Sequence, residues 1–133
     1  MYDLFVSHGW EYTHEYYKVL EYLDEISNHN DFSYLNHSEP HHEAPARKYT
    51  DELEVELRDQ IDQSQAILIV ADMYKHYAYW LDFEMEYAQK RDKAIIGLHS
   101  WGERQTPLDI KKQADQIIGW NPDTLVKAIR SAV

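Results

Sequence analysis

Six residues, Ala66-Ile67-Leu68-Ile69-Val70-Ala71, are apolar without a break. A strand with one wet face alternates apolar and polar side chains, because successive residues point to opposite sides. A run with no polar face needs cover on both sides, the setting of a central strand in a parallel sheet. Ala94-Ile95-Ile96-Gly97-Leu98 is a run of the same type. Asp3-Leu4-Phe5-Val6 is shorter and stops at the turn Ser7-His8-Gly9-Trp10. Phe32-Ser33-Tyr34-Leu35 and Gln116-Ile117-Ile118-Gly119 read as weaker strands.

Between these strands the apolar period becomes helical. Tyr12, Tyr16, Val19, Leu20, Leu23 and Ile26 define one helix, ended by Asn28-His29-Asn30-Asp31. Leu53, Leu57 and Ile61 define a second, with Thr50 or Asp51 as its cap. A short amphipathic piece surrounds Ile110, and Asn121 caps a last helix with Pro122 at its first position. Strand and helix alternate throughout, which predicts one α/β domain over residues 1–133. The expected architecture is a flavodoxin-like three-layer fold: a five-stranded parallel sheet of order 2-1-3-4-5 with helices on both faces. That order puts the ligand crevice outside the carboxyl ends of strands one and three. Those ends are Ser7-His8-Gly9-Trp10 and Ala71-Asp72-Met73-Tyr74.

The stretch His76 to Lys90 follows directly. As a helix it gathers Tyr77, Trp80, Leu81, Glu84, Met85 and Ala88 on one face, while Glu86 falls roughly 200° further round. An acid on a packing face loses hydration, so it must find a partner or become neutral. Pairing to a Lys or Arg is the ordinary outcome. Beside aromatic rings and above a strand end, Glu84 is also a candidate working carboxylate.

Composition removes several classes. The formal charge of −11 opposes binding to a nucleic-acid backbone. No apolar run reaches the ~20 residues that span a bilayer, and the first residues lack the pattern of a signal peptide. The sequence has no cysteine, which excludes thiol chemistry and makes a cytoplasmic address the expectation. The loop from Asn36 to Arg47 holds His37, His41 and His42 with Glu39 and Glu43. A proline-broken loop supplies no fixed tetrahedron for zinc, so no metal is expected there. The acidic face of Asp51, Glu52, Glu54, Glu56, Asp59 and Asp62 reads as solvated.

Fold alone does not choose a ligand. A phosphoacceptor receiver would need an acidic pair after strand one and a Lys after strand five; the sequence has Ser7-His8-Gly9 and Gly119-Trp120-Asn121. A flavodoxin would need a small-residue phosphate loop where His8-Gly9-Trp10-Glu11-Tyr12 stands.

Five pieces in order carry a resemblance: Phe5-Val6-Ser7-His8-Gly9-Trp10, Asp72-Met73-Tyr74, Trp80-Leu81-Asp82-Phe83-Glu84, Gly97-Leu98-His99-Ser100-Trp101-Gly102 and Ile118-Gly119-Trp120-Asn121. Over essentially its whole length the chain resembles the short Toll/interleukin-receptor-like (TIR-like) domain of Thoeris anti-phage signalling proteins. The resemblance implies an NAD-cleaving enzyme, with Glu84 as catalytic acid and Phe5 and Trp80 as walls of the nicotinamide–ribose pocket. Ser7, His8, Asn36 and Tyr74 are further substrate-binding candidates; His8 either contacts a phosphate or caps its turn. NAD is then a substrate and no cofactor is needed. The resemblance also implies a cyclic ADP-ribose-type product read by a separate effector protein, self-assembly into a homo-oligomer, and a phage-derived trigger. Leu81 stands where the wider group often has Cys, and the His37–Pro45 loop matches that group poorly. A non-enzymatic assembly module is the alternative. Trp101 and Trp120 are either partner contacts or packing residues.

Overall fold

The computed structural model describes residues 1–10, 13–29, 31–38, 50–99 and 105–133. In chain order its elements are β1 (Tyr2–Val6), α1 (His14–His29), β2 (Tyr34–Asn36), α2 (Thr50–Asp62), β3 (Ala66–Val70), α3 (Tyr74–Lys90), β4 (Ala94–Leu98), α4 (Leu108–Gln113), β5 (Gln116–Ile118) and α5 (Pro122–Ala132). The strands form one sheet in the order β2-β1-β3-β4-β5, and every ladder is parallel. This is the α/β order read from the sequence.

The uninterrupted apolar run became the centre of the core. All five residues of β3 are buried, between Leu4-Phe5-Val6 on one side and β4 on the other. Burying each large aliphatic side chain contributes about 1.5–3 kcal/mol, so this strand anchors the sheet. α1 packs with α5, and α3 packs with α2 and α4. The Arg130 guanidinium fastens α5 to the chain before β2 through the Asp31 carbonyl, at 2.9 Å.

Several boundaries differ from the sequence reading, three of them with a physical consequence. β2 runs from Tyr34 to Asn36, two residues later at its start than Phe32. Phe32 instead anchors the approach: its ring is buried and stacks on Tyr2 at 5.3 Å, while the Ser33 carbonyl accepts from the Tyr2 amide. α3 begins at Tyr74, because a 3₁₀ turn at Ala71–Met73 leads straight into it. α2 begins at Thr50, which places Asp51 inside the first turn, its carboxylate accepting from the Glu52 amide. The last helix starts as read: Asn121 Oδ1 accepts from the Thr124 amide at 3.1 Å, with Pro122 next to it. Among the described residues, no helix is long and apolar enough to cross a membrane.

Candidate active site

β1 ends in the core, so Ser7 and His8 leave it fully buried. The Ser7 amide still donates to the Leu68 carbonyl of β3, which fixes the direction of its side chain. Gly9 and Trp10 then both take positive φ, 56° and 64°. For glycine this costs little; for a tryptophan it is a real outlier. Glycine is also required at position 9 by contact, since a Cβ there would lie 2.9 Å from the Cβ of Tyr77. At that same Tyr77, α3 departs from helical angles (φ −129°, ψ 26°).

Beyond the kink, α3 buries Leu81, Glu84, Met85 and Ala88, and leaves Glu86 exposed. The stripe read from the sequence is therefore the packing face, with Tyr77 and Trp80 half-buried on it. Glu84 has no exposed surface. Its partner is neither Lys nor Arg: the Ser7 hydroxyl donates to Oε1 at 2.7 Å, with Oε2 at 3.3 Å. Burial pushes the carboxyl up to about 8, and the Ser7 hydrogen bond opposes that rise. Among the described residues no charge offsets the desolvation, and a carboxyl raised to about 8 is mostly protonated at neutral pH.

His8 caps the turn. Its Nδ1 accepts from the Trp10 amide at 2.9 Å, so the ring proton sits on Nε2, facing Gln60 Oε1 at 3.3 Å. Burial holds the imidazole down at about 4, and it is neutral. Covered and uncharged, it has the geometry of the turn cap and not of a phosphate contact. Phe5 is likewise fully buried, its ring 5.5 Å from His8. Trp80 is the more open aromatic, edge-on to Trp10 at 6.4 Å, Tyr79 at 4.9 Å and Phe83 at 6.2 Å.

Asn36, a substrate-binding candidate from the sequence, is 5% exposed and committed to a network of hydrogen bonds. Its Nδ2 donates to the Tyr16 hydroxyl at 2.9 Å, and its Oδ1 accepts from the Ser38 amide and hydroxyl. Tyr16 in turn donates to the Ser38 carbonyl, and Ser38 Oγ accepts from the Val6 amide. The network ties α1 and the end of β2 to β1. In this conformation Asn36 positions the strand end.

Tyr74 opens α3 and lines a cavity of about 480 Å³ with Ala71, Asp72, Lys75, His76, Gln105 and Pro107. Its single hydroxyl proton is shared among close carboxylate oxygens: both of Asp82 at 3.0 Å, and one of Asp109 of α4. The Asp109 contact, then burial, then Asp82 drive the phenol far above its usual range. Ser7, Trp80 and Glu84 do not line this cavity. Tyr74 thus belongs to a cavity that the buried Ser7–Glu84 pair does not line.

His37 bonds Asp3 at 2.9 Å; Glu39, His41, His42 and Glu43 lie outside the described residues, as do Tyr12 and Trp101. Trp120 packs edge-on to Tyr22 at 5.8 Å and donates from Nε1 to the His99 carbonyl. Sequence reasoning missed Trp10 and Tyr77 as parts of the site; the signal was Gly9, a hint that the chain after it would turn through positive φ.

A parallel 2-1-3-4-5 sheet, with a buried acid on the helix after β3 meeting the end of β1, is consistent with a TIR-like domain. The chain belongs to the family described as Thoeris protein ThsB, TIR-like domain, whose profile matches residues 5–105. The match spans Phe5, Ser7, Trp80 and Glu84, and membership supports a role in anti-phage signalling. A comparison with curated proteins found no match.

Proposed function

We propose that this protein cleaves the nicotinamide–ribose bond of NAD and makes a cyclic ADP-ribose-type signal, with Glu84 acting at the ribose. The reading rests chiefly on one observation: an uncharged-partner carboxyl, wholly buried, held by the Ser7 hydroxyl at the end of β1. A fold seldom retains such a group without use for it.

The chemistry asks little else of the protein. The C1′–N bond breaks with its electron pair going to the pyridinium nitrogen, so nicotinamide leaves neutral and needs no acid. Positive charge grows on the ribose in an oxocarbenium-like transition state, as in glycoside cleavage. The Glu84 carboxylate stabilises that charge, more strongly in a dry site than in water. The pyridinium of incoming NAD favours ionisation of Glu84, supplying the counter-charge the free protein lacks. Trp80 is the aromatic surface available to the nicotinamide ring. Capture of the cation by water gives ADP-ribose and a proton; capture by a hydroxyl of the same molecule gives a cyclic isomer. A separate effector protein then reads the product, and a phage-derived trigger and homo-oligomer assembly govern turnover.

The test is incubation of concentrated protein with NAD, products resolved by chromatography and mass spectrometry, beside Glu84→Gln. The expected product has the mass of ADP-ribose less one water and is lost in the variant. Undiminished nicotinamide release by Glu84→Gln would overturn the assignment. One observation favours a second reading, the non-enzymatic assembly module: Glu84 has no exposed surface in the free protein. That reading predicts no NAD turnover at any protein concentration.

A further inference from the structure

Two unfavourable features meet in one side chain beside the Ser7–Glu84 pair. Trp10 sits at φ 64°, directly after Gly9 at φ 56°. Its indole Nε1 is buried with no acceptor among the described residues. Strained backbone and orphaned buried donors are uncommon, and they gather where a ligand is met. The backbone of the turn is fixed, which leaves the ring as the part that can move. The Trp10 amide is held by His8 Nδ1, the ring lies 4.9 Å from His8, and the turn presses on Tyr77 through Gly9. The ring then meets Trp80 at 83°, making an aromatic corner one helical turn before Glu84.

We propose that Trp10 is a substrate-recognition residue whose indole N–H donates to the carboxamide oxygen of the nicotinamide ring of NAD. The proposal rests on NAD being the substrate. A flat ring suits a corner of two indoles. The pyridinium nitrogen of NAD is quaternary, so the carboxamide oxygen is the ring's one acceptor. Shifting the Trp10 ring to admit the substrate gives the orphaned donor its partner.

The experiment measures NAD affinity calorimetrically in Glu84→Gln protein, where binding proceeds without turnover, with and without Trp10→Phe. Phenylalanine keeps a ring and removes the donor. The expected result is about three- to tenfold weaker NAD binding, the effect of one net hydrogen bond. The thionicotinamide analogue, whose sulfur is a poor acceptor, should lose less than about twofold on the same substitution. Equal losses for both ligands, or none for NAD, would overturn the proposal while leaving the NAD reading standing. No NAD binding by the Trp10-intact protein, together with no turnover by the wild type, would overturn both. Should Trp10→Phe fail to fold, the Trp10-intact protein's own preference decides: about threefold or more for NAD over the thio analogue supports the proposal, and equal affinity overturns it.

Discussion

Replacing Glu84 by Gln should make the protein more stable, by an amount that grows with pH. In the folded state the carboxyl titrates at about 8, against 4.5 for the free side chain. Below the lower value both states hold the proton and the residue costs nothing extra. As pH rises between the two, the unfolded chain ionises while the folded one must stay protonated, so wild-type stability falls. The fall is about 1.4 kcal/mol per pH unit and stops near the folded value. At pH 7 the accumulated cost is about 3 kcal/mol, a ceiling that water reaching the carboxylate would lower. Glutamine keeps the shape and can accept from Ser7, but it cannot ionise. Every other titrating group is common to both proteins and cancels in their difference. For a domain of 133 residues the gap corresponds to roughly 10 °C in Tm. Thermal unfolding of the pair at pH 5 and pH 7.5 reads it directly. The new amide donor adds a pH-independent offset, so the change in the gap is the quantity to follow. A gap that stays constant would refute the reasoning, because Glu84 would then titrate alike in both states.

The same shift sets the rate profile. If Glu84 acts as proposed, in its ionised form, kcat/KM of the free protein for NAD should rise with pH through about 8 and level above it; a profile flat from pH 6 to 9 would contradict this. Gly9→Ala should destabilise by more than ~1 kcal/mol, because positive φ and a Cβ at 2.9 Å from Tyr77 act together. Denaturant unfolding checks it, and an unchanged midpoint would show that the turn gives way freely.

The sheet was legible because β3 and β4 are apolar throughout and alternate with helical segments, the combination that a parallel sheet covered on both faces requires. Glu84 was legible as a buried acid from the spacing of Leu81, Met85 and Ala88. Its partner was not. Periodicity describes neighbours on one helix, whereas Ser7 comes from a strand that reaches α3 only through the sheet. The partners of Asn36 were hidden for the same reason: Tyr16 of α1 and Ser38 after β2 take up its hydrogen bonds, and nothing local announces them. β2 began later than read because Phe32 uses its ring for packing before the ladder starts. The backbone of Trp10 follows from a turn that Gly9 hints at and that only the close approach of Tyr77 makes necessary.

Ser7 and Glu84 are 77 positions apart. During synthesis at about 5–20 residues per second, Ser7 therefore emerges on the order of 4–15 seconds before its acid. β1 cannot take its place beside β3 in that interval until the intervening helices and β2 have been made. A nascent chain, or one cut anywhere before α3, carries the donor without its acid. The pair exists only in a finished molecule, and a chain that loses β1 from the sheet loses it at once.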